Sequence, residues 1–121
     1  MENGVVNLTD KFSRINEHWS PRIVAAVNNF HIKLVKLQGE FVWHKHDETD
    51  EMFFVSKGQL TIRLRERDVV LGEGDLFVVP RGVEHCPVAE GECEVLLIEP
   101  AGTVNTGDAG GDRTVADPSW I

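Results

Sequence analysis

Three residues close together in the chain carry groups that bind divalent metals. His44 and His46 sit two apart in the stretch Phe41-Val42-Trp43-His44-Lys45-His46. In an extended strand that spacing puts both imidazoles on one face with Val42, while Trp43 and Lys45 point the other way. The polar segment Asp47-Glu48-Thr49-Asp50 reads as a turn, and Glu51 opens the apolar run Met52-Phe53-Phe54-Val55. A hairpin there folds Glu51 back beside the two histidines. Imidazole and carboxylate donors converging from adjacent strands suit a divalent first-row metal. On these residues alone, an ordinary surface or core pair of histidines is the commoner outcome. His85 lies 39 residues beyond His46, so only the fold can bring it in.

The elements that must position these groups are strands. Leu60, Ile62 and Leu64 alternate with Thr61, Arg63 and Arg65, the pattern of a half-buried strand. Residues 30–38 and short apolar runs at 51–55, 69–71, 76–79 and 93–98 are rich in Val, Phe, Leu and Ile, which suit a pleated surface. Turn signals separate them, from Asn28-Asn29 through Lys57-Gly58 and Pro80-Arg81-Gly82 to Ala89-Glu90-Gly91-Glu92. Strands at this spacing make an all-β sandwich or barrel. Residues 8–19 hold at most a turn of helix, entered by Thr9 or Asp10. The glycine-rich residues 101–113 read as loop or mobile chain, closed by Trp120-Ile121, which docks on the barrel or on a partner subunit.

The same residues match two motifs. Gly39, His44-x-His46-x4-Glu51-x6-Gly58 resembles the first cupin motif, and Gly74-x5-Pro80-x-Gly82-x2-His85 resembles the second. Fifteen residues separate Gly58 from Gly74, an inter-motif length similar to that of small microbial cupins. Two positions depart from the pattern: Gly39 sits one residue closer to the histidines than the usual glycine, and Ala89 stands where an asparagine often ends the second motif. More loosely, the whole chain resembles a group of small single-domain bacterial cupins labelled mannose-6-phosphate isomerase-like, including Asn105-Thr106-Gly107 and Arg113-Thr114-Val115 in the tail. The resemblance implies an all-β double-stranded β-helix (jelly-roll) barrel. It implies one cupin domain over residues 1–121, with the barrel at about 22–100 and an extended or partly flexible tail at 101–121. It also implies that His44, His46, Glu51 and His85 ligate one divalent transition metal per chain: Fe, Mn, Ni, Cu or Zn.

Four protein ligands leave about two of six octahedral positions for a small-molecule ligand in the barrel, whereas closed structural sites are typically tetrahedral. The expected function is a small metal-dependent enzyme acting on a polar metabolite such as a sugar or sugar phosphate, by isomerase, lyase or dioxygenase chemistry. The alternative is a non-catalytic cupin that binds or senses a small ligand, and the label on a fold relative does not choose between them. No catalytic residue is fixed by the sequence. Lys36 is a candidate acid if strand 30–38 keeps its parity through Gly39, and Arg81 is a candidate for the rim. Phe53 and Val55 share Glu51's face and should wall the pocket.

Charge and length set the outer limits. The chain of 121 residues fits one domain, for which roughly 100–200 residues is usual. Its formal charge of −8 argues against nucleic-acid phosphates and against a polybasic membrane anchor. No apolar run approaches the roughly 20 residues needed to span a bilayer, and Met1-Glu2-Asn3-Gly4 does not begin a signal peptide. A cytoplasmic protein is expected. Cys86 and Cys93 then remain thiols, facing each other across a hairpin at Ala89-Glu90. Arg63, Arg65 and Arg67 read as a charge-balanced surface row, and His18 and His31 as unremarked surface or core residues. Phe41 and Trp43, pointing away from His44, need a cover, which a homodimer would supply.

Overall fold

The period-two alternation becomes an antiparallel barrel in the computed structural model, which describes residues 4–121. Residues 1–3, part of the segment on which the expectation about a signal peptide rests, lie outside the described residues. The elements are α1 (Leu8–Ser13), β1 (Arg22–Val27), β2 (Phe30–Glu40), β3 (Glu51–Lys57), β4 (Leu60–Leu64), β5 (Asp68–Leu71), β6 (Leu76–Val79) and β7 (His85–Pro100). Among the described residues no helix is long and apolar enough to cross a membrane.

Five strands lie in the order β1-β2-β7-β3-β6. β7 joins the two walls of the barrel. Its first residues pair with β4, from Leu64 opposite His85 to Thr61 opposite Val88. Its remainder runs between β2 and β3, and β5 pairs with β4. Inward positions alternate along each strand: Glu51, Phe53 and Val55 on β3, Leu60, Ile62 and Leu64 on β4, and Cys93, Val95 and Leu97 on β7 are all buried. Most of them form the main core. A second core lies outside the sheet, where Phe12 and Ile15 cover Val24 and Leu34. The helix that carries Phe12 is capped by Asn7, whose side chain accepts from the Asp10 amide at 2.9 Å. The expected caps, Thr9 and Asp10, fall two and three residues too late: Asn7 already has extended geometry, and its oxygen satisfies a first-turn amide.

Two expectations fail here for one reason. The segment 89–92 does not reverse the chain; β7 runs straight through it. Cys93 lies opposite Leu37 while Ala89 lies opposite Gly39, so β7 carries two extra residues at that point. Glu90-Gly91-Glu92 therefore marks a bulge rather than a hairpin turn. Cys86 and Cys93 do not face each other across such a hairpin; both are buried and free. The bulge fits closely against the β3–β4 turn: a Cβ on Gly58, at φ 90°, would lie 2.8 Å from the Glu92 carbonyl oxygen.

The face assigned to Lys36 fails for another reason. Phe41 packs on the main core as Val35 and Leu37 do, yet His44 and His46 are buried too, so the alternation slips between Phe41 and His44, beyond Gly39. Val35 and Leu37 point into the main core, and Leu34 into the outer one. Lys36 alternates with Val35 and Leu37 and shares Leu34's side, and its carbonyl accepts from the Trp19 amide at 2.9 Å.

The tail packs on the barrel of its own chain. Asn105 ties it into a loop, donating to the Arg113 carbonyl at 2.8 Å and accepting from the Val115 amide at 2.7 Å. Thr106 and Thr114 share a hydroxyl hydrogen bond of 2.6 Å. Ile121 packs into the outer core and donates its amide to the Ile23 carbonyl at 3.0 Å. Trp120 stays 56% exposed, with its ring edge-on to His31.

Candidate metal centre

Residues 41–46 belong to no strand, and the expected hairpin to Glu51 does not form. The partner of His44 is His85. Their backbones exchange two hydrogen bonds, at 3.0 and 2.9 Å. In an antiparallel pair, side chains at directly opposed positions share a face, and the two ring centroids are 4.3 Å apart. His46 is fixed through its carbonyl, which accepts from the Gly82 amide at 2.8 Å. Asp50 accepts from the Arg81 amide at 2.9 Å. The first motif is thus held against the second, and Glu51 reaches both from β3. The tail supplies the outer support. Lys45 donates its amide to Asp108 at 2.8 Å, and Gly107 sits so close to the Lys45 carbonyl that a side chain there would overlap it.

One donor atom from each of His44, His46, Glu51 and His85 lies within 4.8 Å of the other three. All four residues are buried. Val42 accepts from His44 Nδ1 at 2.9 Å, and Val83 accepts from His85 Nδ1 at 3.0 Å. Each bond fixes the tautomer that leaves an Nε2 lone pair directed at the cluster. Glu51 Oε1 stands 3.3 Å from His46 Nε2 and 3.4 Å from His85 Nε2. These three atoms are buried and have no hydrogen-bond partner. Buried polar atoms are ordinarily satisfied, so the set fits a cation among them and could hold one. Burial, and then the charge of His85, push the His44 imidazole down to about 4. Burial resists ionisation of Glu51, but its contacts with His46, His85 and Glu99 outweigh it and hold the carboxyl well below the usual range.

Behind Glu51 lies a pair that the residue spacing gave no reason to select. Lys33 Nζ donates to Glu99 Oε1 at 2.8 Å and to the Thr103 carbonyl at 3.2 Å, with both side chains at most 2% exposed. Burial and the neighbouring Glu51 charge push the Glu99 carboxyl well up, against the pull of Lys33. The one signal in the sequence is parity: Glu99 continues the inward series Cys93, Val95, Leu97.

A small chamber of about 40 Å³, open at its mouth, adjoins the cluster at His44 and Glu51. Trp19, Val35, Leu37, Phe41, Phe53 and Leu97 line it. Phe53 is where the sequence put it, but Val55 is sealed in the core. Arg81 lines an outer groove with Asp50 and Phe30, not this chamber. Phe41 does not point outward: its ring stacks on Trp19 at 4.6 Å and meets His44 edge-on at 5.5 Å. Trp43 does turn outward, beneath the Arg65 guanidinium at 3.8 Å. Arg63 and Arg65 pair with Glu40 and Glu84, the balanced surface expected of that row. His18 pairs with Glu92 at 2.8 Å.

The Cupin_2 family, described as the cupin domain, matches residues 32–99, more than half of the chain. The chain belongs to the cupin family. A cupin-2 domain containing protein from Shewanella frigidimarina is 50% identical, with a TM-score of 0.81 over 83% of this chain and 98% of that one. Protein NMB1881 from Neisseria meningitidis is 33% identical, with a TM-score of 0.74 over 80% of this cupin and 99% of that chain. A 3-hydroxyanthranilate 3,4-dioxygenase of Yarrowia lipolytica is 32% identical over 57 residues, which span 44% of this cupin and 33% of the enzyme. The jelly-roll barrel expected of the sequence is thus the fold observed.

Proposed function

We propose that this cupin is a metal-dependent enzyme in which His44, His46, Glu51 and His85 hold one divalent transition metal. The observation that carries the reading is the set of partnerless buried atoms, His46 Nε2, Glu51 Oε1 and His85 Nε2, gathered beside a chamber. Such a metal would polarise a bound oxygen or hold dioxygen. The chain's own residues orient the donors, through Val42 and Val83, and exclude water from the cluster by burial. Dioxygenase chemistry is favoured over isomerase or lyase chemistry. Among the described residues no lysine or arginine, and no acid other than Glu51, lines the chamber, so they supply no separate acid or base for moving substrate protons. The likeness to a dioxygenase supports the same choice.

That lack of a second acid or base also favours a rival reading, a non-catalytic ligand-binding cupin. Elemental analysis of protein purified without a histidine tag tests the metal. About one transition metal per chain is expected, and His44→Ala should remove most of it; metal-free protein that cannot be loaded would overturn the reading. Dioxygen consumption with candidate substrates then separates enzyme from binder.

The homodimer keeps a place in this proposal, on a different face. Leu76 and Val78 project outward from β6, the end strand of the sheet, and are 58% and 44% exposed. They lie opposite Phe54 and Met52 on β3. This apolar face, rather than Phe41 and Trp43, is where a second copy would sit.

A further inference from the structure

The chamber wall is almost entirely hydrocarbon. Among the described residues, apart from His44 and Glu51 at the cluster end, its one polar side chain is Asn105, brought in by the tail. A polyhydroxylated ligand filling this space would press hydroxyl groups against Val35, Leu37, Phe53 and Leu97 with nothing to bond. An apolar body would meet no such penalty.

Trp19 sharpens the inference. Its φ is 61°, a left-handed conformation that is an outlier for a bulky residue and persists only where the surroundings over-determine it. Three contacts do so here. Its amide donates to the Lys36 carbonyl at 2.9 Å, its Nε1 donates to the Gln38 carbonyl at 2.9 Å, and its ring stacks on Phe41. Trp19 lines the chamber and also an outer groove shared with Gln38 and Arg113, so its ring is the wall between them. The Arg113 guanidinium lies 5.5 Å from the Trp19 ring and 5.8 Å from Phe41.

Resting on the metal reading above, we propose that the chamber takes a compact, largely apolar molecule, aromatic or branched aliphatic, whose oxygen donors are gathered at the end facing His44 and Glu51, and that Trp19 sets this preference. Sugars and sugar phosphates fall outside the class. The chamber thereby replaces the polar metabolite expected from the sequence with a ligand whose polarity is confined to one end.

Calorimetric titration of the zinc-loaded protein with two probes, catechol and mannose 6-phosphate, tests the proposal. Catechol should bind at least about 10-fold more tightly. Trp19→Ala should weaken catechol binding by about 5-fold or more with zinc content unchanged, and Trp19→Phe should restore most of it. Val35→Thr keeps the side-chain shape but puts a hydroxyl on the wall, and should weaken catechol several-fold even if Trp19→Ala does not fold. Mannose 6-phosphate binding as tightly as catechol, neither probe binding, or folded variants that all bind catechol like the parent would each overturn the proposal. If the protein takes up no zinc, the metal reading fails by itself. The preference between the two probes is then measured on the metal-free protein, and the same criteria apply.

Discussion

Glu51 is backed by a buried pair, Lys33 and Glu99, whose disruption bears on stability. Glu99→Leu leaves the Lys33 ammonium buried without its carboxylate, and removal of one partner from such a pair costs about 3–5 kcal/mol. Urea unfolding should register a loss of that size. The double substitution Lys33→Met with Glu99→Leu should recover most of it, and equal losses in single and double variants would contradict the account. Acid sensitivity belongs to His44. Its imidazole titrates at about 4 in the fold and near 6.5 when unfolded, so between these values the unfolded chain binds a proton that the native chain does not. Stability of the metal-free protein is therefore full above pH 6.5 and falls as the pH drops toward 4, by on the order of 3 kcal/mol from this residue. Unfolding curves at several pH values should follow that slope in the parent and lose it in His44→Phe. Metal loading at His44 should fall as the pH approaches about 4, where the native ring itself takes a proton. His44, His46 and Glu51 were legible as candidate donors because donor type and close spacing are local properties, whereas His85 joined them only through the resemblance of the second motif; the fold does gather all four. Lys33 and Glu99, 66 residues apart, look like any two surface charges until the strand register joins them.

Strands were legible from alternation, and what alternation cannot report is where it slips. A slip between Phe41 and His44 left Lys36 outside the barrel, and the bulge in β7 made one long strand of an expected hairpin. Backbone pairing across 41 residues put His44 opposite His85, which no local pattern encodes. The tail was harder still, because its order depends on contacts with the barrel rather than on propensity. Gly107 is its pivotal point. At φ 55° it already favours glycine, and a methyl group there would collide with the Lys45 carbonyl and touch His44. Gly107→Ala should lift the tail from residues 44–45, destabilising the protein by about 1–3 kcal/mol and weakening metal binding. Gly91→Ala, which meets nothing within 4 Å and has no positive φ, is the matched control. Thermal denaturation with and without zinc would read both effects, and equal melting temperatures for the two variants would discount the tail as support for the centre.

At the scale of the whole molecule, two opposing properties govern self-association. The outer face of β3 and β6 is apolar: Leu76 lies opposite Phe54, Val78 opposite Met52, and the row continues to Leu96 and Ile98 on β7. Leu96 packs against the outer core that α1 and Ile121 cover, whereas Leu76 and Val78 are left exposed on an end strand. End strands and apolar patches of this kind are ordinarily covered, and a two-fold contact through the same patch on each copy is the commonest cover. Against this stands a charge of −8 on every chain, which repels a second copy over a distance set by ionic strength. The dimer should therefore be held by apolar contact and opposed by long-range charge, so that salt strengthens it. Light scattering after size exclusion should give twice the 13.5 kDa chain mass at physiological salt, with dissociation growing as salt is lowered. Leu76→Glu introduces a charge at the centre of the patch and should shift the protein to monomer at every salt concentration. It should leave the zinc content unchanged, because Leu76 is on the outer face and the four donors are on the inner one. Trp43→Glu should leave the mass unaltered, since Arg65 already covers that ring within the chain. A monomer at all salt concentrations, or a dimer lost with Trp43→Glu and kept with Leu76→Glu, would assign the wrong face here.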